Sequence, residues 1–416
     1  MSNVAFPADS ADLPAGVAGH AAPGFEPLVR AFAGFVGGRA GAGGALAVYR
    51  HGEPLVNIHT GRASATAPWT EDTGALVFSA TKGIAATVIH RLADRGLLDY
   101  AAPVAEYWPA FGAGGKQRIT VRQLLTHRAG LSGLGPVAAG PSEVLDHELM
   151  ERRLAAAEPD ALLGVPTYHA LTFGWLLAGL ARSITGRPMA ELFRTEVAEP
   201  LGIEGIHLGR PPAGSPTTVA RMAGSRLAAA GSPVGSLVLG RVPGIPGWPG
   251  AVARSMFLPG LEAMLEGDEP PMLDTEMAAA NGVCTADALA ALYGAIACDG
   301  MVAGRRYLSP ATVRAVRRVE CYRLDNALFY LPMMWHLGYH SFPVPGARTG
   351  FGHIGLGGSF GWAEPRLGLS VGFVHNRLSL DRFAWDQIAS AWVLPLAVRG
   401  ARAARRPVPA PQRRAA

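Results

Sequence analysis

Of the 37 lysine and arginine side chains in this 416-residue chain only two are lysines, and one of them, Lys82, stands three residues after Ser79 at a junction of two contrasting segments. Before the junction, Ala75-Leu76-Val77-Phe78 is an apolar run that asks for a buried path; after it, Gly83 to Asp94 carries Ile84, Ala85, Val88, Ile89 and Leu92 at helical spacing. The chain is thus expected to leave an interior and turn directly into an amphipathic helix, with Ser79 at its N-terminus. Residues i and i+3 share a helical face, so the Lys82 amine can reach the Ser79 hydroxyl. A lysine can lose its proton when desolvated and an arginine cannot, so only lysine can act as a base beside a serine. Free N–H groups at the helix start can also bind a developing oxyanion. Random placement of 18 serines and two lysines gives about 0.09 Ser-x-x-Lys matches in a chain of this length. The plainer alternative is a serine N-cap followed by a surface lysine.

Composition narrows the class. With 49% hydrophobic residues the chain can bury a large core, as one large domain or two interleaved ones. The net charge of +5 owes much to Arg399, Arg402, Arg405, Arg406, Arg413 and Arg414, so the body is near neutral and nucleic-acid binding is not expected. Cys284, Cys298 and Cys321 lack metal-ligand or redox spacing, which points to reduced thiols and a cytoplasmic location. Met1 to Pro14 carries acids without a basic or apolar leader, and no run of about 18 apolar residues occurs, so neither export nor a membrane span is expected.

Along the chain, Phe25 to Phe35 reads as a helix after a flexible start, and the Gly/Ala stretch 37–44 reads as a loop without dinucleotide spacing. Ala45 to Tyr49 and Pro54 to His59 form a predicted hairpin. From Tyr107 to about Gly282 the pattern is mainly helical, with Val121–Thr126, Gly140–Ala157, Leu171–Ile184 and Met189–Glu196 as helices and 231–260 as long loops near a cleft. The helix Thr285 to Ile296 closes this part. Strands return at Gly357–Ala363 and Leu369–Val374, followed by a helix from Asp381 that Pro395 is expected to stop and by a disordered Arg/Pro tail, 401–416. The expected division is a discontinuous sheet domain, 1–105 and 283–400, with a mainly helical domain, 106–282, inserted in it. This is an α+β class.

Two further motifs join Ser79 and Lys82. Tyr168, in Pro166-Thr167-Tyr168-His169-Ala170, is a phenol that a neighbouring ammonium would shift toward phenolate, fitting it to relay the serine's proton. In Gly352-His353-Ile354-Gly355-Leu356-Gly357-Gly358-Ser359, small residues let a strand approach a ligand closely. With Leu124 to Leu131 and Asn281-Gly282, these motifs give the chain a pattern that resembles the serine β-lactamase and penicillin-binding-protein superfamily over about Gly24 to Val398, most closely its esterase branch of family VIII type, which is similar to class C β-lactamases. The resemblance implies an antiparallel sheet flanked by helices beside a helical domain, with the site in the cleft between them. It implies Ser79 as the acylated nucleophile, Lys82 and Tyr168 as the proton-transfer pair, and the Ser79 N–H with a strand N–H near Leu356 as the oxyanion hole. His353-Ile354-Gly355 stands where β-lactamases carry Lys-Thr-Gly, and Tyr168-His169-Ala170 stands where they carry Tyr-x-Asn. Both departures favour an ester over a β-lactam or D-peptide.

Competing patterns carry less. Gly357-Gly358-Ser359-Phe360-Gly361 matches the Gly-x-Ser-x-Gly elbow, but that elbow needs a helix after the serine, where a strand is expected. His336 and His340 lack the glutamate and third ligand of a zinc motif, so no metal is expected, and no organic cofactor either. His127 reads as a loop-holding histidine. The expected activity is hydrolysis of carboxylic esters with short or medium acyl groups through an acyl-serine. Transfer of the acyl group to a bound alcohol, a weak β-lactamase or D-amino-acid peptidase side reaction, and a catalytically silent binding protein on the same fold are the alternatives. Acyl and alcohol specificity and oligomeric state are not written in these motifs.

Overall fold

The computed structural model describes residues 10–37, 40–224, 248–256, 258–265, 267, 269–379 and 382–404. Among the described residues thirteen strands follow one another: β1 (Val17–Ala21), β2 (Gly43–Arg50), β3 (Glu53–Gly61), β4 (Thr73–Leu76), β5 (Ile206–Leu208), β6 (Thr218–Val219), β7 (Gly282–Cys284), β8 (Met301–Val302), β9 (Arg305–Arg306), β10 (His340–Ser341), β11 (Phe351–Ile354), β12 (Phe360–Glu364) and β13 (Leu369–His375). Seven of them build the main sheet, in the order β1-β3-β2-β13-β12-β11-β10, with every pairing antiparallel. Both expected hairpins, β2–β3 and β12–β13, lie at its centre.

Side chains alternate across a strand, and β2 shows what that does here. Ala45, Ala47 and Tyr49 face one core, which includes the helix Ala286–Ala297 and the helix Thr81–Asp94. Leu46 and Val48 face the other, where they meet Phe360, Trp362, Val371 and Phe373 and the helices Glu26–Val36 and Ser390–Ala403. The sheet is therefore covered on both faces, the α+β arrangement that the resemblance implies. A second sheet, β5-β7-β4-β6, brings β4, which leads to Ser79, against β7, which follows Asn281.

The Thr81–Asp94 helix departs from the amphipathic expectation, because eleven of its fourteen residues are buried, on all sides. Its polar groups escape the usual cost of burial by pairing. Thr87 Oγ1 donates to Gly83 O at 2.8 Å and meets Tyr339 Oη at 2.7 Å, while His90 bridges Tyr100 Oη at 2.8 Å and Leu337 O at 3.0 Å. Two other expectations are corrected. The expected flexible start contains β1, which carries no β signal of its own and forms on the open edge of β3. The last helix does not stop at Pro395 but runs to Ala403, so residues 401–403 are helical and only the tail from 405 lies outside the described residues. Pro395 deletes one helical hydrogen bond, a cost of about 3 kcal/mol, and burial of Val393, Leu394, Ala397, Val398 and Ala401 offsets it. Most of the expected loop 231–260 also lies outside the described residues. Among the described residues no helix is long and apolar enough to cross a membrane.

Candidate active site

Ser79 sits in a 3₁₀ turn, Phe78–Ala80, that runs straight into the Thr81–Asp94 helix. Val77 N–H donates to Gly282 O at 2.9 Å, tying the turn to the start of β7. Thr81 Oγ1 donates to Phe78 O at 2.5 Å and accepts from Gly282 N–H at 2.9 Å. Phe78 is held at φ 45°, a left-handed conformation that costs a residue with a side chain about 1 kcal/mol or more. The strain falls on the residue immediately before the serine.

Lys82 is fully buried, and its amine meets three oxygens: Ser79 Oγ at 3.1 Å, Ala170 O at 2.6 Å and Ala279 O at 2.9 Å. Burial pushes its pKa well below that of an ordinary lysine. A neutral amine has two N–H donors and one lone pair. In that form the two carbonyls, which only accept, use both donors and leave the lone pair to the hydroxyl of Ser79, whereas the ammonium donates to all three oxygens. The Ala279 carbonyl reaches this position because Gly174 has no side chain; a Cβ there would lie 2.4 Å from Ala279 N. Asn281 builds the turn that presents it, accepting from Met277 N–H at 3.0 Å and donating to Met272 O and Thr275 O, each at 2.7 Å.

Tyr168 closes the other side of the serine, with its hydroxyl beside the Ser79 side chain and its ring 4.8 Å from Lys82 Nζ. Here the structure reverses the expected phenolate. Burial pushes the Tyr168 pKa up, the nearby Asp325 pushes it further, and the Ser79 side chain pulls the other way. The ammonium that was to lower it is itself disfavoured, since the same burial pushes the Lys82 pKa well down. Tyr168 stacks on Trp335 with ring centroids 5.8 Å apart, and both are held by Asp325. Asp325 is buried and accepts from Tyr168 N–H at 3.1 Å, Ala327 N–H at 2.9 Å and Trp335 Nε1–H at 3.0 Å. Sequence reasoning missed it, because it lies 157 positions from Tyr168 and acts on a backbone group.

The third motif arrives on β11. His353 is buried, with its ring centroid 6.3 Å from that of Tyr168. Its Nδ1 meets Ile354 O at 3.0 Å and so carries the hydrogen, leaving Nε2 as an acceptor without a partner among the described residues. Burial lowers its pKa well below the ordinary value, and His340 and Lys82 add to this, so the ring is neutral. Gly355 packs against the backbone before Ser79: a Cβ there would be 2.1 Å from Val77 O. Leu356 follows, and lines a small cavity together with Phe78. His169, in the Tyr-x-Asn region, accepts from Leu131 N–H at 3.2 Å and bonds Thr167 O at 2.6 Å, while His127 accepts from His169 N–H at 3.2 Å. Both fix loops. Ser359 lies in the β11–β12 turn and accepts from His375 N–H at 3.3 Å, with a strand after it, so it is no nucleophile elbow. His336 is spent on Val316 O and Ser341 Oγ, and the described residues contain no cluster able to hold a metal.

A buried lysine turned on a serine at the head of a central helix, beside an antiparallel sheet, defines the active-site serine class of the β-lactamase and penicillin-binding-protein fold. Comparison with known proteins narrows this. The beta-lactamase family model matches residues 28–391, and the chain belongs to that family. It is 50% identical over 372 residues to the esterase/beta-lactamase LipL of Mycobacterium tuberculosis, covering 89% of this chain and 85% of that protein. Among solved structures it is similar to a family VIII carboxylesterase, at 30% identity and TM-score 0.77 over 94% of this chain and 100% of that one. A penicillin-binding-protein homologue from Caulobacter crescentus is 29% identical with TM-score 0.75, over the same shares.

Proposed function

We propose that this chain is a serine hydrolase that cleaves small carboxylic esters through an acyl-Ser79 intermediate. The observation that carries the reading is the Lys82 socket, which holds the amine on two carbonyls and 3.1 Å from Ser79 Oγ, so that once deprotonated it turns its lone pair on the serine. As Oγ attacks the ester carbon, Lys82 takes the hydroxyl proton and the carbonyl electron pair moves onto oxygen, facing the N–H groups of Ser79 and Leu356. The new ammonium is strongest bound at this moment, because its bonds to Ala170 O and Ala279 O become charge-assisted. Collapse expels the alkoxide, which takes its proton by way of the Tyr168 hydroxyl. Water then repeats the sequence on the acyl-enzyme and releases the acid and free Ser79.

His353 and Gly355 shape the substrate side. A neutral, buried histidine in place of a lysine offers no charge to a β-lactam carboxylate, which favours uncharged esters. The reading also divides the chain as the sequence suggests, with 106–282 inserted between the two parts of the sheet domain. Three free thiols, two of them buried, fit a reducing cytoplasm, and the near-neutral body fits a small-molecule substrate, with neither nucleic acid nor membrane as a partner. The test is turnover of p-nitrophenyl butyrate and of a chromogenic cephalosporin by the wild type and Ser79→Ala. The reading expects ester turnover that vanishes in the folded variant and far slower cephalosporin turnover; ester turnover that survives the substitution overturns it.

A further inference from the structure

The sequence gives Gln387 no role, yet its side chain spans the end of β11. Gln387 belongs to the short helix Phe383–Gln387, and its Nε2 donates to Gly355 O at 3.1 Å while its Oε1 accepts from Gly357 N–H at 3.0 Å. The two bonds straddle Leu356. They also fix the amide, since a flipped Gln387 would set donor against donor and acceptor against acceptor. The helix is seated by the buried ion pair of Asp386 with Arg377, at 2.6 Å.

Gly355 C=O and Leu356 N–H are the two ends of one planar trans peptide, so they point in opposite directions. Gly355 O accepts from Gln387 Nε2 and also from Gly358 N–H at 3.0 Å, which fixes where that carbonyl points. The opposite end, Leu356 N–H, is then aimed away from Gln387, and it donates to no acceptor among the described residues. A peptide whose carbonyl is doubly hydrogen-bonded is polarised, which makes its N–H a stronger donor. Gly355 itself presses on Val77, two residues before the serine, so this peptide is held against the nucleophile's turn.

We propose that Gln387 is a positioning residue that aims and polarises Leu356 N–H as the second oxyanion donor. The inference rests on the acyl-Ser79 reading and on Leu356 as that donor. The test compares kcat/KM for p-nitrophenyl butyrate and its thionoester, whose sulfur is a poor hydrogen-bond acceptor, in the wild type, Gln387→Ala and the near-isosteric Gln387→Glu, with thermal melts of all three. The wild type is expected to prefer the oxygen ester strongly. In Gln387→Ala the ester kcat falls about 10- to 50-fold with KM within about threefold, and the oxygen preference shrinks in parallel. Gln387→Glu, which keeps the size but loses the donor to Gly355 O, loses at least as much. A strong wild-type preference that both variants retain overturns the role of Gln387 and leaves the oxyanion hole standing. A wild type without oxygen preference overturns the oxyanion assignment, and the inference with it.

Discussion

The two lysines of this chain occupy sockets of the same design, and only one is placed for chemistry. Lys82 Nζ bonds Ala170 O and Ala279 O; Lys116 Nζ bonds Ala113 O, at 2.7 Å, and Ala157 O. Each side chain is buried, and each amine lies near an aromatic ring, Tyr168 for Lys82 and Phe111 for Lys116. They differ in what else is in reach. Desolvation lowers the Lys116 pKa, but the Glu158 carboxylate opposes it, whereas the Lys82 pKa falls much further with no carboxylate acting against burial. Lys116 has two carbonyls and a counter-charge, so it is a cationic clasp between the turn at 113 and the end of the helix His147–Ala156. Lys82 has two carbonyls and a hydroxyl, the arrangement that the proposed mechanism uses as a base. Burial alone does not make a catalytic lysine; a third partner that needs the lone pair does.

The comparison breaks most visibly at the charge. Lys82→Arg, which cannot deprotonate, is expected to lower kcat/KM for p-nitrophenyl butyrate by at least about 10⁴-fold, while Lys116→Arg, which keeps the cation, stays within about threefold. Equal losses in the two variants would mean that both lysines are structural. Tyr168→Phe tests the partner on the other side of Ser79. It removes the hydroxyl that is proposed to return the proton and should cost about 10²- to 10³-fold in kcat with the melting temperature little changed.

A smaller effect follows at Asp325. Asparagine there would turn an NH₂ toward a donor now satisfied, Trp335 Nε1–H or a backbone N–H, so Asp325→Asn should lose about 1–3 kcal/mol of stability and roughly tenfold in kcat as Tyr168 shifts. Denaturant unfolding and steady-state kinetics on one preparation would show whether the two losses go together.

The subtlest prediction separates the sockets by pH. Because the folded pKa of Lys82 is depressed, the unfolded chain binds one more proton between that value and about 10.4, and stability rises with pH across the window. The stability of the wild type relative to Lys82→Met should therefore grow as pH rises toward about 10.4, by up to about 1.4 kcal/mol per pH unit. The same difference for Lys116→Met should change less, since Glu158 holds its pKa closer to the ordinary value. A flat Lys82 difference would mean that the buried amine keeps its proton.

What the sequence revealed follows from how each contact is made. The Ser79–Lys82 pair was legible because a helix brings i and i+3 together without help from the rest of the fold. Tyr168 was legible only through resemblance, and the expected fall in its pKa is reversed because its own burial outweighs its neighbours. Asp325 and Gln387 carry no local pattern: one grips the N–H of Tyr168, the other a C=O and an N–H of the β11 end, and side chains that bond backbone leave no matching residue type at the other position. The fold shows the same limit. The central hairpins were written in period-two patterns, whereas β1 and the helix beyond Pro395 exist because a sheet edge and a core were there to receive them.

The account turns on Lys82 being an unprotonated base for Ser79, and the most direct measurement is the rate of fluorophosphonate labelling against pH, with the adduct mapped by peptide mass. The prediction is a single adduct on Ser79 whose rate reaches its plateau far below about pH 10.4, where an ordinary lysine titrates, and which is lost in Lys82→Arg. An adduct on another residue, or a rate that is still climbing near pH 10, would contradict it.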